Sequence, residues 1–552
     1  MVRESRVVML GWDGATWDLI LPWIEQGKLP GIGRMVGEGV WGTLLSTIPP
    51  ISPSAWTTIF TGVNPGKHGI LGFVKRKPDS YFVTPISSRD RKGVPVWTIL
   101  STIGKRVVLV NIPFTYPPDQ VNGIMITGLG TPSKKSNFVY PLDRKATVVQ
   151  QFPDYDVDFS EDRILLSDDK SFALDEIKDV TAAQIRLFTH LLHTEEWDFA
   201  SVVFRSLDVA QHFFWDDPDC ILQYYQQLDD LLSRCLSSCM QEGDSLLVCS
   251  DHGFSRVHTQ LYVNNWLESL GLLAISEPKS GQRGRLSAET FQNILLAMGM
   301  KGLVWRLKRS ALLEPVLKRF IRSKGFQHLL DMRWTETCAY FHDGSDGLVW
   351  LNLEGREPEG IVSPERKKVL QERIIQAALQ IRDPSTGKPV IGAAYAGDDL
   401  FGSGGQMTPD IALLPNQGYR LVGGYNRAGR MFEEEQARIA NHAPEGIFAA
   451  FGPLVRKGEQ VHNARVADIT PTILRMLGFG PPGNMDGKAL DIFLPRHTPQ
   501  DLSALERKSG SAIKEDTQRS NEFLTEQGRS LRLSKEDEEI LEEKLAALGY
   551  MD

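Results

Sequence analysis

The stretch Pro49 to Ile70, PPISPSAWTTIFTGVNPGKHGI, places hydroxyl groups at the start of a short helical pattern. After Pro53 the run Ser54 to Phe60 contains no breaker and Gly62 stands where a helix would stop, which predicts a helix of about two turns. Ser52 then sits just before the helix N-terminus, where unpaired N–H groups and the positive end of the dipole favour an alkoxide and an anionic phosphoryl group. Serine is also a favoured helix cap, so this position acquires chemical meaning only with partners. Candidates are Asp13 in Gly11-Trp12-Asp13-Gly14, the pair Asp208-x-x-x-His212, and Asp251-His252. Carboxylates and neutral imidazoles bind divalent metals, and a dinuclear site can carry most of a phosphoryl transfer. A structural His–Asp hydrogen bond is the commoner reason for either pair taken alone. The combination with Asp13 and the Ser52 loop is the stronger signal.

These residues need elements that bring them together. Apolar, β-branched runs at Val7 to Leu10, Val107 to Val110, Gly123 to Ile126, Phe199 to Phe204, Leu246 to Val248, Asp410 to Leu414 and Ile447 to Phe451 alternate with helical patterns. This alternation predicts an α/β domain with a largely parallel central sheet. Ligands gather at the carboxyl ends of such strands, and three of the runs lead directly to Asp13, Asp208 and Asp251. From Thr259 to Trp334 the pattern turns helical and then basic, as in an inserted, mainly helical cap. Its segment Lys301 to Lys324 interleaves eight Lys or Arg residues with apolar ones, a surface suited to anionic lipid, an anionic substrate or plain solvent. The expected division is a first part of the α/β catalytic core over 1–258, a cap over 259–345, the second part of the core over 346–495, and a polar linker with a C-terminal helix over 496–552. Ser534 caps that last helix, and Leu541, Leu545 and Leu548 line one face. Asp468 opens a further short core helix ending before Gly478.

Among 552 residues, 61 Lys and Arg face 69 Asp and Glu, a net charge of -8, which argues against duplex nucleic-acid binding. Five cysteines without paired metal spacing suit a reducing compartment. No long apolar h-region and no run of about eighteen apolar residues is found. The expectation is a cytoplasmic protein with no transmembrane span, and with peripheral membrane contact, if any, through 301–324.

The motifs Gly11-Trp12-Asp13-Gly14, Thr61 to Ile70 (TGVNPGKHGI), Asp208 to His212, Ser250-Asp251-His252-Gly253, Asn352 to Val362 and the final LGY together resemble the alkaline phosphatase superfamily, in the prokaryotic form of its type I phosphodiesterase/nucleotide pyrophosphatase branch. The resemblance covers nearly the whole chain and implies an α/β/α sandwich. It also implies a nucleophile nine residues before Thr61-Gly62, which is Ser52, with Ser54 as the nearby rival. One metal would be held by Asp208, His212 and His442, the other by Asp13, Ser52, Asp251 and His252. Spacing alone does not single out His442 among eleven histidines. His68 and His258 are given structural or outer roles. Two divalent cations offset three aspartates and a Ser52 alkoxide, and coordination lowers the serine pKa. The path implied is in-line attack by Ser52 and a phosphoseryl intermediate that is then hydrolysed. The donor set suits zinc, and manganese or iron would fit the same ligand types.

Departures from relatives narrow the substrate. Sulfatases of this superfamily carry Pro two residues and Arg four residues after the nucleophile, where this chain has Ser54 and Trp56. Nucleotide pyrophosphatases commonly have Thr at the nucleophile and Asn three residues on, where this chain has Ser52 and Ala55. No Lys or Arg lies between Pro49 and Phe60 to match the extra charge of a monoester, so phosphodiesters of small or lipid-linked molecules are the expected substrates. Lys75, Arg76, Lys77 and Arg205 are the outlying cations that would reverse this. Asn111, Tyr116 and Arg205 are candidates for the substrate wall. The competing readings are a phosphomonoesterase or phospho-headgroup transferase on the same metals, and a non-catalytic phosphate-binding scaffold.

Overall fold

In a computed structural model of the chain, residues 5–159, 170–241, 243–276, 331–342, 346–402, 408–435, 438–494, 499–500, 502 and 533–547 are described. The strand Val7–Trp12 shows how the core is built. Its residues alternate between two buried clusters, Val8, Leu10 and Trp12 entering one and Val7 and Met9 the other. A strand buried on both faces requires cover on both, which gives a sheet sandwiched between helical layers. From edge to edge its nine strands are Glu459–Arg465, Val40–Leu45, Glu445–Phe451, Ser245–Cys249, Val7–Trp12, Phe199–Phe204, Val107–Ile112, Gly123–Thr127 and Val139–Tyr140. The five from Ser245–Cys249 to Gly123–Thr127 are mutually parallel, and an antiparallel strand borders them on each side. This is the α/β architecture expected from the alternation of runs.

A second, smaller body has its own core of Leu261, Trp266, Tyr340, Val349, Ile374 and Ile411 with their neighbours. Ala339–Phe341, Leu348–Leu351, Ile411–Pro415 and Ile391–Ala396 pair antiparallel in that order. The run Asp410 to Leu414 is thus a strand, but it lies in this sheet and not in the central one, because Ile411 and Leu413 bury into the local core. The smaller body therefore contains strands as well as helices. The basic segment 301–324 lies outside the described residues. Among the described residues, no helix is long and apolar enough to cross a membrane.

The stretch Pro49 to Ile70 forms a helix over Ser52–Thr61 that stops at Gly62, whose φ of 68° is the left-handed region that glycine enters without penalty. Ile51 is extended and caps it, so Ser52 is the first helical residue and not the one before the helix. Trp56, Ile59 and Phe60 bury against the sheet. From the neighbouring short helix, His68 reaches back to Thr58 Oγ at 2.9 Å while its Nδ1 accepts from Ile70 N. Thr470, on the helix Ile469–Met476, donates to Ile59 O. Asp468 precedes that helix, but its carboxylate accepts from Arg465 N and Lys488 N instead of capping it. At the C-terminus, Ser534 Oγ accepts from Asp537 N. Leu545 there joins a cluster with Ile51, Phe73 and Phe114.

Burial, reinforced by Arg91, pushes the His68 pKa down from 6.5 to about 3, so the folded protein keeps this imidazole neutral while the unfolded chain protonates it. Stability falls as pH drops from 6.5 towards 3, because only the unfolded state takes up that proton. Replacing His68 with Gln is expected to flatten the dependence of the urea unfolding midpoint on pH within that window, while the wild type keeps the steeper decline.

Candidate metal centre

The three strands that lead to Asp13, Asp208 and Asp251 are neighbours in the middle of the sheet. Register pairs Trp12 with Phe204 and Gly11 with Cys249, so their carboxyl ends lie level. Asp13 N bonds Phe204 O, and Asp208 sits in the first turn of the helix Ser206–Phe214 that follows the strand. His212, one turn later, brings Nε2 to 3.5 Å from Asp208 Oδ1. His442 arrives from far along the chain. Its strand Ala440–Ala443 pairs antiparallel with Gly253–Tyr262 and sets His442 opposite Phe254. Its Nε2 lies 3.3 Å from Asp208 Oδ1, and its ring stacks on His252 at 4.0 Å between centroids.

Two groups of ligand-type side chains result, Asp208 with His212 and His442, and Asp13 with Asp251 and His252, each with one donor atom per residue within 4.8 Å of the others. Each carboxylate has one oxygen engaged by the protein. Asp13 Oδ2 accepts from Trp56 Nε1 at 2.8 Å, Asp251 Oδ1 from Gly14 N at 3.3 Å, and Asp208 Oδ2 from Arg205 at 3.4 Å. The second oxygens, Asp13 Oδ1, Asp208 Oδ1 and Asp251 Oδ2, are buried without a hydrogen-bond partner, as are Nε2 of His212 and of His442. Unsatisfied buried acceptors cost free energy singly, and five of them in one place is the donor arrangement a cation completes.

The histidines fit the same role. Nδ1 of His212 bonds Ala440 O at 2.9 Å and Nδ1 of His252 bonds Gly253 O at 3.1 Å. With Nδ1 carrying the proton, Nε2 presents its lone pair to the cluster. Burial lowers the pKa of both, that of His252 to about 4 with help from His442, which keeps them neutral. The carboxylates are under strain. Burial, with Asp251 and Asp208 nearby, raises Asp13 well above its ordinary value, and burial with the charge of Asp208 raises Asp251 to about 7. For Asp208, burial also pushes upward but His212, His442 and Arg205 outweigh it and hold the group low.

Ser52 Oγ lies 3.2 Å from His252 Nε2. Ser54 Oγ is buried without a hydrogen-bond partner. The wall candidates are tied elsewhere. Tyr155 OH donates to Asn111 Oδ1, Tyr116 OH donates to Asp537 of the C-terminal helix at 3.1 Å, and Arg205 forms ion pairs with Asp158 and Asp208. His258 packs on Tyr419.

Two contributors escaped sequence reasoning. Trp56 fixes Asp13, and its signal was present, since it follows Ser52 by four residues on one helix. Gly11 makes room for that indole: a Cβ there would lie 2.6 Å from the Trp56 ring and 2.8 Å from Val203 Cγ2.

The family model described as type I phosphodiesterase/nucleotide pyrophosphatase matches residues 7–444. A search of curated proteins gives no match. Among solved structures, phosphonoacetate hydrolase from Sinorhizobium meliloti 1021 in complex with phosphonoformate matches at 14% identity and a TM-score of 0.54, over 86% of this chain and 96% of that one. A mutant of the alkaline phosphatase PafA matches at 13% identity and a TM-score of 0.50, over 90% of this chain and 100% of that one. Human ectonucleotide pyrophosphatase/phosphodiesterase 5 matches at 12% identity and a TM-score of 0.48, over 87% and 97%. At these identities the first two neighbours establish the shared alkaline-phosphatase-like fold.

Purified protein equilibrated with zinc and passed through a desalting column is expected to retain about two ions per chain, and His212→Ala about one. Chelation is expected to lower the thermal midpoint of the wild type, since it returns the carboxylates to mutual repulsion. Metal analysis by mass spectrometry and a melting curve check both.

Proposed function

The chain belongs to the type I phosphodiesterase/nucleotide pyrophosphatase family and is a hydrolase of phosphoric ester bonds; from that premise we propose that it cleaves phosphodiesters by nucleophilic attack of Ser52. The observation that carries this reading is the meeting of one free oxygen from each of Asp13, Asp208 and Asp251 with the imidazoles of His212, His252 and His442 around the Ser52 hydroxyl. Asp208, His212 and His442 would hold one divalent ion, and Asp13, Ser52, Asp251 and His252 the other. When bound, the two ions, which we assign as zinc on this all Asp/His donor set, would offset the carboxylates, lower the serine pKa and attract the phosphoryl oxygens.

The remaining contributions belong to the chain itself. The Ser52 helix directs its positive end at the phosphoryl group, and Trp56 and Gly14 hold Asp13 and Asp251 so that one oxygen of each faces inward. Ser52 Oγ attacks phosphorus as the bond to the departing alkoxy group breaks. The phosphoseryl ester formed is then hydrolysed, which restores the hydroxyl. Diester selectivity is supported by the fate of three of the four outlying cations, Lys77 being exposed at the surface. Lys75 pairs with Asp90, Arg76 is buried against Glu357 at 2.7 Å, and Arg205 is shared between Asp158 and Asp208. Each of these three charges is already matched, whereas a monoester brings an additional negative charge. The substrates we infer are phosphodiesters of small or lipid-linked molecules. A cytoplasmic setting is supported by the odd number of cysteines, none of them in a disulfide.

Ser52→Ala is expected to lose at least about 10³-fold in turnover while retaining its metal content, and quenched wild type is expected to yield phosphoserine at position 52 by peptide mass spectrometry. With synthetic substrates, a bis-aryl phosphate should be hydrolysed faster than the aryl monophosphate. Preference for the monoester overturns the diesterase assignment, and full activity in Ser52→Ala overturns the nucleophile.

A further inference from the structure

The three histidines of the centre differ in how their outer nitrogens are held. His212 and His252 each bond a backbone carbonyl through Nδ1, which locks the tautomer and the ring plane. His442 has no such partner: its Nδ1 is buried without a hydrogen bond. An imidazole that ligates a metal through Nε2 needs an acceptor at Nδ1, and carboxylates commonly provide it. One carboxylate faces this nitrogen. Asp346 Oδ2 lies 4.0 Å from His442 Nδ1, about 1 Å beyond a hydrogen bond, on a side chain 26% exposed.

Asp346 does not belong to the catalytic sheet. It lies two residues before the strand Leu348–Leu351 of the smaller body. It occupies the left-handed region with φ of 34°, uncommon for a residue other than glycine. Gly347, next to it, has φ of 97°, and a Cβ there would lie 2.1 Å from Leu413 O. Leu413 N bonds Gly347 O at 2.8 Å. The backbone beside Asp346 is therefore clamped onto the smaller sheet, and unusual backbone geometry held by its surroundings is characteristic of functional positions. Leu348 packs in a cluster with Phe401 and Ala412, against which Ile48 and Leu71 from the catalytic side lie. The clamp thus stands at the junction of the two bodies.

We propose that Asp346 is the positioning residue for His442: its carboxylate accepts the Nδ1 proton when the centre is loaded, so that the smaller body supplies the outer partner of a metal ligand and its seating tunes that ion's affinity. This rests on the reading of the centre as dinuclear. Among the described residues no ion pair or hydrogen bond joins Asp346 to Asp13, Ser52, Asp251 or His252, so the effect is confined to the ion held by His442.

The test uses the full chain and zinc, with affinity read by competition against a chromophoric chelator. Asp346→Ala is expected to weaken one of the two bound ions by about 10- to 100-fold and leave the other unchanged. Asp346→Asn, whose amide oxygen still accepts, is expected to restore most of that loss. The thermal midpoint of the metal-free protein should be the same for wild type and Asp346→Asn, which a merely structural role of the carboxylate would not give; Asp346→Ala carries in addition the strain of alanine in the left-handed region. Asp346→Ala binding both ions as tightly as wild type overturns this inference alone, and so does an equal loss in both variants. A wild type that binds no zinc overturns the dinuclear reading and this inference with it.

Discussion

The structure depends on a repulsion. Three aspartates lie at the level ends of adjacent parallel strands, buried, with Arg205 the cation that contacts one of them. Parallel strands in register deliver their next residues to the same place, so the geometry that builds the core also crowds the carboxylates. The consequence is visible in their protonation: Asp13 and Asp251 are pushed upward by burial and by neighbouring carboxylates, while Asp208 is held down by its histidines and Arg205. Like charges in a medium of low dielectric cannot all be ionised without compensation. The five buried acceptor atoms with no partner state the same requirement in hydrogen-bond terms.

Much of the surrounding architecture holds those groups in place against that repulsion. Trp56 spends its indole N–H on Asp13 while its ring packs beside Phe60 in the sheet core. The same helix carries Ser52 one turn earlier, so a single rigid element sets both the Ser52 hydroxyl and one carboxylate. His68 and Thr470 grip this helix at its middle and far end through Thr58 and Ile59. Gly11 leaves the space the indole occupies. A change at any of these positions reaches the Ser52 hydroxyl through a short chain of packed groups.

Features set by local chain geometry were legible in the sequence. Asp13, Asp208 and Asp251 each follow an apolar strand within a few residues, and Asp208 with His212 shows helical spacing. The Ser52 helix was legible from Pro53 and Gly62, though its start lay two residues earlier than the breaker-free run. His442 was not readable from spacing, because antiparallel pairing of two strands distant in sequence delivers it, and only the family resemblance pointed to it. Asp346 was missed for the same reason, since a second sheet presents it. The run Asp410 to Leu414 reads as a strand from its apolar residues, but those residues say nothing about which of two cores receives them. Lys75, Arg76 and Arg205 looked available as charges, and only the structure shows their carboxylate partners.

Charge balance links the catalytic centre to the smaller body. Lys75, Arg76 and Arg205 are matched by Asp90, Glu357, Asp158 and Asp208, and one of these matches carries structural load: Arg76 joins the hairpin Val74–Pro85 to Glu357 in the smaller body, where Arg356, beside Glu357, pairs in turn with Asp410 at 2.6 Å. Such buried pairs cost desolvation and return it only while both partners stay in place. Releasing Arg76 to a substrate phosphate would strand Glu357 without one of its two arginines. The network therefore favours a substrate that brings less charge to the centre, and it fixes the face from which Asp346 reaches His442. On the proposed reading, substrate choice and metal affinity would be set by the same junction, since the ion pairs that engage Arg76 and Arg356 also seat the body that carries Asp346.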